Sequence, residues 1–203
     1  MARQAPDRSR LNAYERVEVR SRAEWRAWLA AHHARSEGIW LVTYRKGEGR
    51  PHLPWGEIVD EALCFGWIDS LPRRLDADRT MLLLAPRRPG SRWSAVNKRK
   101  VEKLIREGQM HPAGLAKVEA AKRDGTWDAL NEVDLLIVPD DLAAALAEAG
   151  DAASRFAAFP PSARRGILEW IAAAKRPETR AKRIAETARL AAKGARANHR
   201  TPE

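Results

Sequence analysis

The chain has 203 residues, with 37 Lys and Arg against 27 Asp and Glu and a formal net charge of +10. That length predicts one larger domain with a small one appended, and 44% hydrophobic with 32% charged residues describes a folded protein with a charged surface rather than a disordered one. A single cysteine, Cys64, excludes an internal disulfide and any multi-cysteine metal site, and no window holds the ~20 apolar residues a membrane helix needs. Met1 to Arg22 is polar and Arg-rich with no apolar stretch, which predicts no secretory signal and a cytoplasmic protein.

In chain order, residues 1 to 15 read as a disordered basic tail, because Arg, Gln, Pro, Asp and Ser dominate without periodicity. Ser21-Arg22-Ala23-Glu24 is a capping-box pattern opening a helix with Trp25, Trp28, Leu29 and His32 on one face, and Gly38 is expected to stop it. Ile39 to Lys46 predicts a strand. Pro54 opens a second helix with a buried stripe of Ile58, Val59, Ala62 and Leu63, closed by Gly66, and Cys64 falls in this apolar run as a small core residue. Trp67–Ser70, Arg73–Asp76 and Thr80–Ala85 predict short strands of a meander, with Pro72 confined to an edge or turn. Helices follow at about 94–107, apolar at Val101, Leu104 and Ile105, and at about 112–123.

Between Asp124 and Asp151 stand eight acids and no Lys or Arg, a change of composition that marks a boundary. Leu135 to Val138 is expected to cross it in extended form, and helices are expected at about 140–150, 162–174 and 177–193. The fold class is therefore α+β, an antiparallel sheet with packed helices followed by a small all-helical module. The domains are a tail at 1–15, a main domain at 16–130, a linker at 131–139 and the module at 140–195.

Ala62-Leu63-Cys64-Phe65-Gly66-Trp67-Ile68-Asp69-Ser70, Arg73-Arg74-Leu75-Asp76, Pro86-Arg87-Arg88, Ser91-Arg92-Trp93-Ser94 with Asn97 and Arg99, Gly108-Gln109-Met110 and Pro112-Ala113-Gly114 occur in that order. With Ala174-Lys175-Arg176-Pro177-Glu178-Thr179-Arg180 near the end, the chain resembles the YdeI/OmpD-associated, or bacteriocin-protection, family. The resemblance implies a YjbR/CyaY-like α+β main domain, a fold suspected elsewhere of nucleic-acid binding. It also implies a link to resistance against antimicrobial peptides and bacteriocins, with a porin as reported associate. The absence of a signal in this sequence sits poorly with the porin association.

Two constellations carry the candidate site. From Leu71 to Arg106 there are eleven bases against three acids, and Arg73, Arg74, Arg87, Arg88 and Arg99 among them suit phosphate or carboxylate contacts while Trp67 and Trp93 could stack a base or sugar. Pro89-Gly90-Ser91-Arg92-Trp93-Ser94 then opens a helix whose free amides, beside Ser94 and Asn97, favour an anion. The competing readings are a solvated Arg face produced by high-GC coding and plain capping by Ser94. Together the residues predict that Arg73, Arg87, Arg88 and Arg99 share one anion near Ser94. Asp69 either accepts from a ligand or acts as acid or base, although a salt bridge to Arg73 or Arg74 is the more economical role.

His32-His33 are adjacent and do not face one another on a helix, so no metal site is predicted. No phosphate-binding loop, dinucleotide fingerprint or nucleophile elbow occurs, so neither a cofactor nor a catalytic residue is assigned. The C-terminal run from Arg164 to Arg200 has eleven bases, yet Ile167, Leu168, Ile171, Ile184 and Leu190 give it a buried face, and it reads as a packing module first. The functional reading is a non-enzymatic binder of a phosphate-bearing or nucleic-acid ligand. The alternative is an enzyme acting on a small anionic substrate in an Arg/Trp pocket with Asp69 as acid or base.

Overall fold

The computed structural model describes residues 11–198, and the chain divides into two compact units, Met1–Trp127 and Asp128–Glu203. The first unit is built on a four-stranded sheet of β1 (Arg16–Glu18), β2 (Ile39–Tyr44), β3 (Trp67–Arg74) and β4 (Arg79–Pro86), in the order β1-β2-β4-β3. Helices α1 (Arg22–His32), α2 (Trp55–Cys64), α3 (Ala95–Arg106) and α4 (Pro112–Arg123) complete it. The expected α+β class holds, and the sheet is mixed: β4 pairs antiparallel with β2 and β3, while β1 runs parallel to β2 across the α1 crossover.

Ser21 caps α1 as its sequence predicts, its Oγ accepting from the Glu24 N–H at 3.2 Å. Gly38 does not end that helix, which stops at His32. A Cβ at Gly38 would lie 2.7 Å from the Leu84 carbonyl oxygen, so the glycine serves the close approach of β2 to β4. The two strands expected at 67–70 and 73–76 are one strand, β3, with a register shift between Asp69 and Pro72. Pro72 has no N–H to give a ladder, and β3 is an edge strand where that loss is tolerated.

Alternation along the strands gives the sheet two covered faces. Ile39, Leu41, Leu82 and Leu84 pack with Trp25, Leu29, Ile58, Leu63, Trp67, Trp93, Val101 and Leu104 on the helix-bearing side. Trp40, Val42 and Met81 form a smaller cluster on the other side with Leu11, whose carbonyl accepts from Trp40 Nε1 at 2.6 Å. Leu11 is 4% exposed, so the part of the expected tail from residue 11 is packed against the sheet, and residues 1–10 lie outside the described residues. Cys64 is buried in the larger core, where burial pushes its thiol up to about 11. A thiol reagent is expected to label native Cys64 slowly, and Cys64→Ala should cost about 1 kcal/mol in denaturant melts. Rapid labelling of the native chain would contradict that placement.

Among the described residues the second unit is helical: α5 (Asn131–Asp134), α6 (Asp140–Glu148), α7 (Ala152–Ala157), α8 (Pro161–Ala172) and α9 (Pro177–Ala191). The linker expected at 131–139 begins as the short α5, and its segment 135–138 is not simply extended, since Leu136 takes φ of 58°. Leu142, Leu146, Phe156, Ile167, Leu168, Ile171 and Ile184 form the core of this unit. Arg180 grips Asp141 through Nε and Nη2 at 2.6 and 2.8 Å, and Arg165 bridges Asp134 and Glu169, so two bases of the C-terminal run pin α9 to α6 and α8 to α5. No helix among the described residues is long and apolar enough to cross a membrane.

Candidate functional site

Arg87 leaves the end of β4, its N–H donating to the Gly66 carbonyl at 2.9 Å, and its side chain turns in to the helix-bearing face. It is 3% exposed. Its guanidinium carbon lies 3.5 Å from the centroid of the Trp93 indole, a close cation–π contact, and Nη1 donates to the Arg92 carbonyl at 3.4 Å. Nε and Nη2 are buried without a hydrogen-bond partner. Burial lowers Arg87 to about 10, partly opposed by the charge of Asp69, which shares this face because its register partner is Leu84. Behind Trp93 lies Trp127, with ring centroids 5.1 Å apart, flanked by the ammonium groups of Lys98 and Lys122.

Arg87 lines a cleft of about 90 Å³ between the loop that follows β4 and the C-terminal half of α4. Arg88, Ser91, Trp93, Lys117, Asp124 and Thr126 supply its other polar and aromatic walls, and Pro89, Gly90, Ala120 and Ala121 the rest. Three cations therefore face one carboxylate. That carboxylate, Asp124, accepts from the Thr126 hydroxyl and N–H at 2.5 and 3.0 Å, which holds it below its ordinary range.

Only Arg87, Arg88 and Trp93 of the expected site residues meet here. Trp67 and Trp93 are 0% and 1% exposed, so neither offers a face to a base, and stacking recognition by them is corrected to a core role. Trp67 Nε1 donates to the His33 carbonyl at 3.1 Å. Arg73 pairs in register with Met81 and lies over Trp40 with its guanidinium carbon 5.1 Å from the ring, on the sheet face opposite Arg87. The register shift inside β3, between Asp69 and Pro72, is what turns it to that face and separates it from the expected four-arginine cluster. Arg74 is exposed and donates to the Asp76 carbonyl, so the salt bridge expected between Asp69 and one of these arginines is replaced by other partners. Ser94 caps α3, accepting from the Asn97 N–H at 3.3 Å, and Arg99 is exposed on that helix.

Lys117 and Thr126 escaped the sequence reading. Lys117 had a signal: it sits on α4 beside the inward positions Gly114, Val118 and Ala121, where a Lys is out of place on a purely packing face. Glu61 is a second omission. It is 1% exposed on α2 and bound by Arg22 and Arg26 at 2.6 and 2.7 Å. Nearby, His111 caps α4 by accepting at Nδ1 from the Ala113 N–H, and it stacks on Phe65 and meets His33, with burial the main cause of its lowered pKa. Among the described residues no group of three or more metal-ligating side chains is placed to hold an ion.

Residues 17–117 match the family model described as Domain of unknown function (DUF8412), and residues 136–194 match the one described as Bacteriocin-protection, YdeI or OmpD-Associated. No curated protein and no solved structure matches the chain. The first match falls on the α+β unit and names no YjbR/CyaY likeness, so that part of the expectation has no support from it. The second falls within the helical unit, and over that segment it supports the likeness to the YdeI/OmpD-associated family.

Proposed function

We propose that the α+β unit is a non-enzymatic binder of an anionic, phosphate-bearing ligand, and that its site is the Arg87 cleft. The observation that carries this reading is a charged guanidinium, buried and with two donors idle, in the wall of a cleft that Arg88 and Lys117 also line. Leaving charged donors buried and unpaired costs about 1–3 kcal/mol or more, and an incoming oxyanion converts that cost into charge-assisted hydrogen bonds. With the indoles in the core, a nucleic acid would be held through its phosphates rather than by stacking. The family's bacteriocin-protection description fits a stress-linked role for such a binder, which we place in the cytoplasm.

A second reading draws on Asp69, which shares the Arg87 face and could act as acid or base on a small anionic substrate. Titration with inorganic pyrophosphate, followed by calorimetry, tests the first reading. Arg87→Ala is expected to weaken binding at least tenfold, while Arg73→Ala, on the other face of the sheet, leaves it unchanged. Equal affinity in wild type and Arg87→Ala would sink the assignment, and pyrophosphate turnover lost in Asp69→Asn would favour the second reading.

A further inference from the structure

The three nitrogens of Arg87 are not equivalent. Nη1 is occupied by the Arg92 carbonyl and the flat face of the group by Trp93. Nε and Nη2 are the idle pair. Their N–H bonds run side by side along one edge of the guanidinium, which is the edge that takes two oxygens of a single carboxylate or phosphate at once.

We infer that this edge is a fork for one terminal oxyanion, a phosphate monoester or a carboxylate presented end-on, and that a phosphodiester within a polymer is not its ligand. The inference rests on the anion-binding reading and narrows it. Two parallel donors match two oxygens, whereas a spherical anion satisfies them poorly. The cleft, at about 90 Å³, is far below the ~300–1,000 Å³ of a pocket that encloses a whole drug-sized molecule, so it admits a group rather than a run of backbone. An internal phosphodiester continues on both sides, and bringing its oxygens to a guanidinium 3% exposed would bury the flanking nucleotides, for which the cleft has no room. A terminal group enters alone. Its route is past Arg88, Pro89 and Gly90, which are exposed along the cleft, and the space around Gly90 is open, with no atom within 4 Å of where a Cβ would stand. Once seated, the anion meets Arg88 and Lys117 at the walls.

The test observes the arginine Nε–H resonances of the ¹⁵N-labelled full chain during titration with sodium phosphate, acetate or chloride at constant ionic strength. Phosphate and acetate are expected to shift the Arg87 signal saturably, the larger shift naming the preferred group, and chloride to leave it in place. Arg87→Lys keeps the charge and loses the fork, so phosphate affinity should fall at least tenfold. An oligonucleotide carrying a 5′-phosphate should shift the same signal, and its dephosphorylated twin should not. An unmoved Arg87 signal, chloride as effective as phosphate, or Arg87→Lys binding phosphate like wild type would each overturn the fork. Salt-sensitive binding of the dephosphorylated oligonucleotide to both proteins would overturn it while leaving an anion-binding protein, and failure of every anion to bind would remove both readings.

Discussion

Gly114→Ala is expected to destabilise the α+β unit by about 3 kcal/mol or more, beyond the ordinary range of a methyl insertion. A Cβ at this position would stand 2.2 Å from the Cys64 carbonyl oxygen, 2.7 Å from its carbon and 2.9 Å from the Leu63 oxygen. All three are backbone atoms at the end of α2, so no side-chain rotation relieves the contact. To accept the methyl, α4 must lift away, which lengthens the bond from the His111 N–H to the Cys64 carbonyl, now 3.1 Å, and opens the Phe65–His111 stack. Alanine's better helix propensity returns only about 1 kcal/mol. Gly56 provides the control, because it lies in α2 with nothing within 4 Å of where its Cβ would stand, and Gly56→Ala should be neutral or stabilising by up to about 1 kcal/mol. Urea melts of the two variants check the contrast, and equal midpoints would mean that α2 and α4 do not approach as described.

Gly114 also shows what a sequence can and cannot disclose. Pro112-Ala113-Gly114 reads as a helix start, and the helix is there, because first-turn signals are local. The reason for glycine is the distant backbone of Leu63 and Cys64, which no local pattern contains. Ser21 and Ser94 were legible as caps for the same local reason, and the stripes of α2 and α3 were legible from their period, except that Ile105, expected on the α3 stripe, is exposed. Gly38 misled because a glycine a few residues beyond a helix looks like a stop, whereas its constraint comes from the Leu84 carbonyl across the sheet. At the candidate site, the abundance of Arg between Leu71 and Arg106 drew attention to the stretch that holds Arg87 and Arg88. It could not say which faces those residues take, since a register shift inside β3 and the pairing of Arg73 with Met81 decide that. The two indoles read as ligand platforms because a Trp beside Arg carries the same letters whether its partner is a base or a buried guanidinium such as Arg87.

Arg22→Ala with Arg26→Ala is expected to cost about 3–5 kcal/mol, more than the two single changes together. Glu61 is almost wholly buried, and its two oxygens are held separately, Oε1 by Arg22 Nε at 2.6 Å and Oε2 by Arg26 Nη1 at 2.7 Å. The same arginines reach on to Gln109, Arg22 to its side-chain oxygen at 3.0 Å and Arg26 to its carbonyl at 2.8 Å, so α1, α2 and the turn between α3 and α4 share one network. Losing one arginine leaves the carboxylate one partner, and each single change should cost about 1–2 kcal/mol. Losing both leaves a buried charge with neither arginine to offset its lost hydration, which is where the excess over additivity arises. The arginines are 38% and 41% exposed at their side chains and can be rehydrated in place, so Glu61→Leu alone should be milder than the double change. Glu61→Leu added to the double variant should therefore recover most of the loss, because it removes the stranded charge and fills the space with an apolar side chain of similar volume. Chemical denaturation of the wild type and these variants measures the cycle. Additive single losses, or no recovery in the triple variant, would show that the carboxylate is hydrated in the native state and that α1 is held to α2 by the packing of Trp25 and Leu29 and the Trp25 Nε1 bond to the Ile58 carbonyl instead.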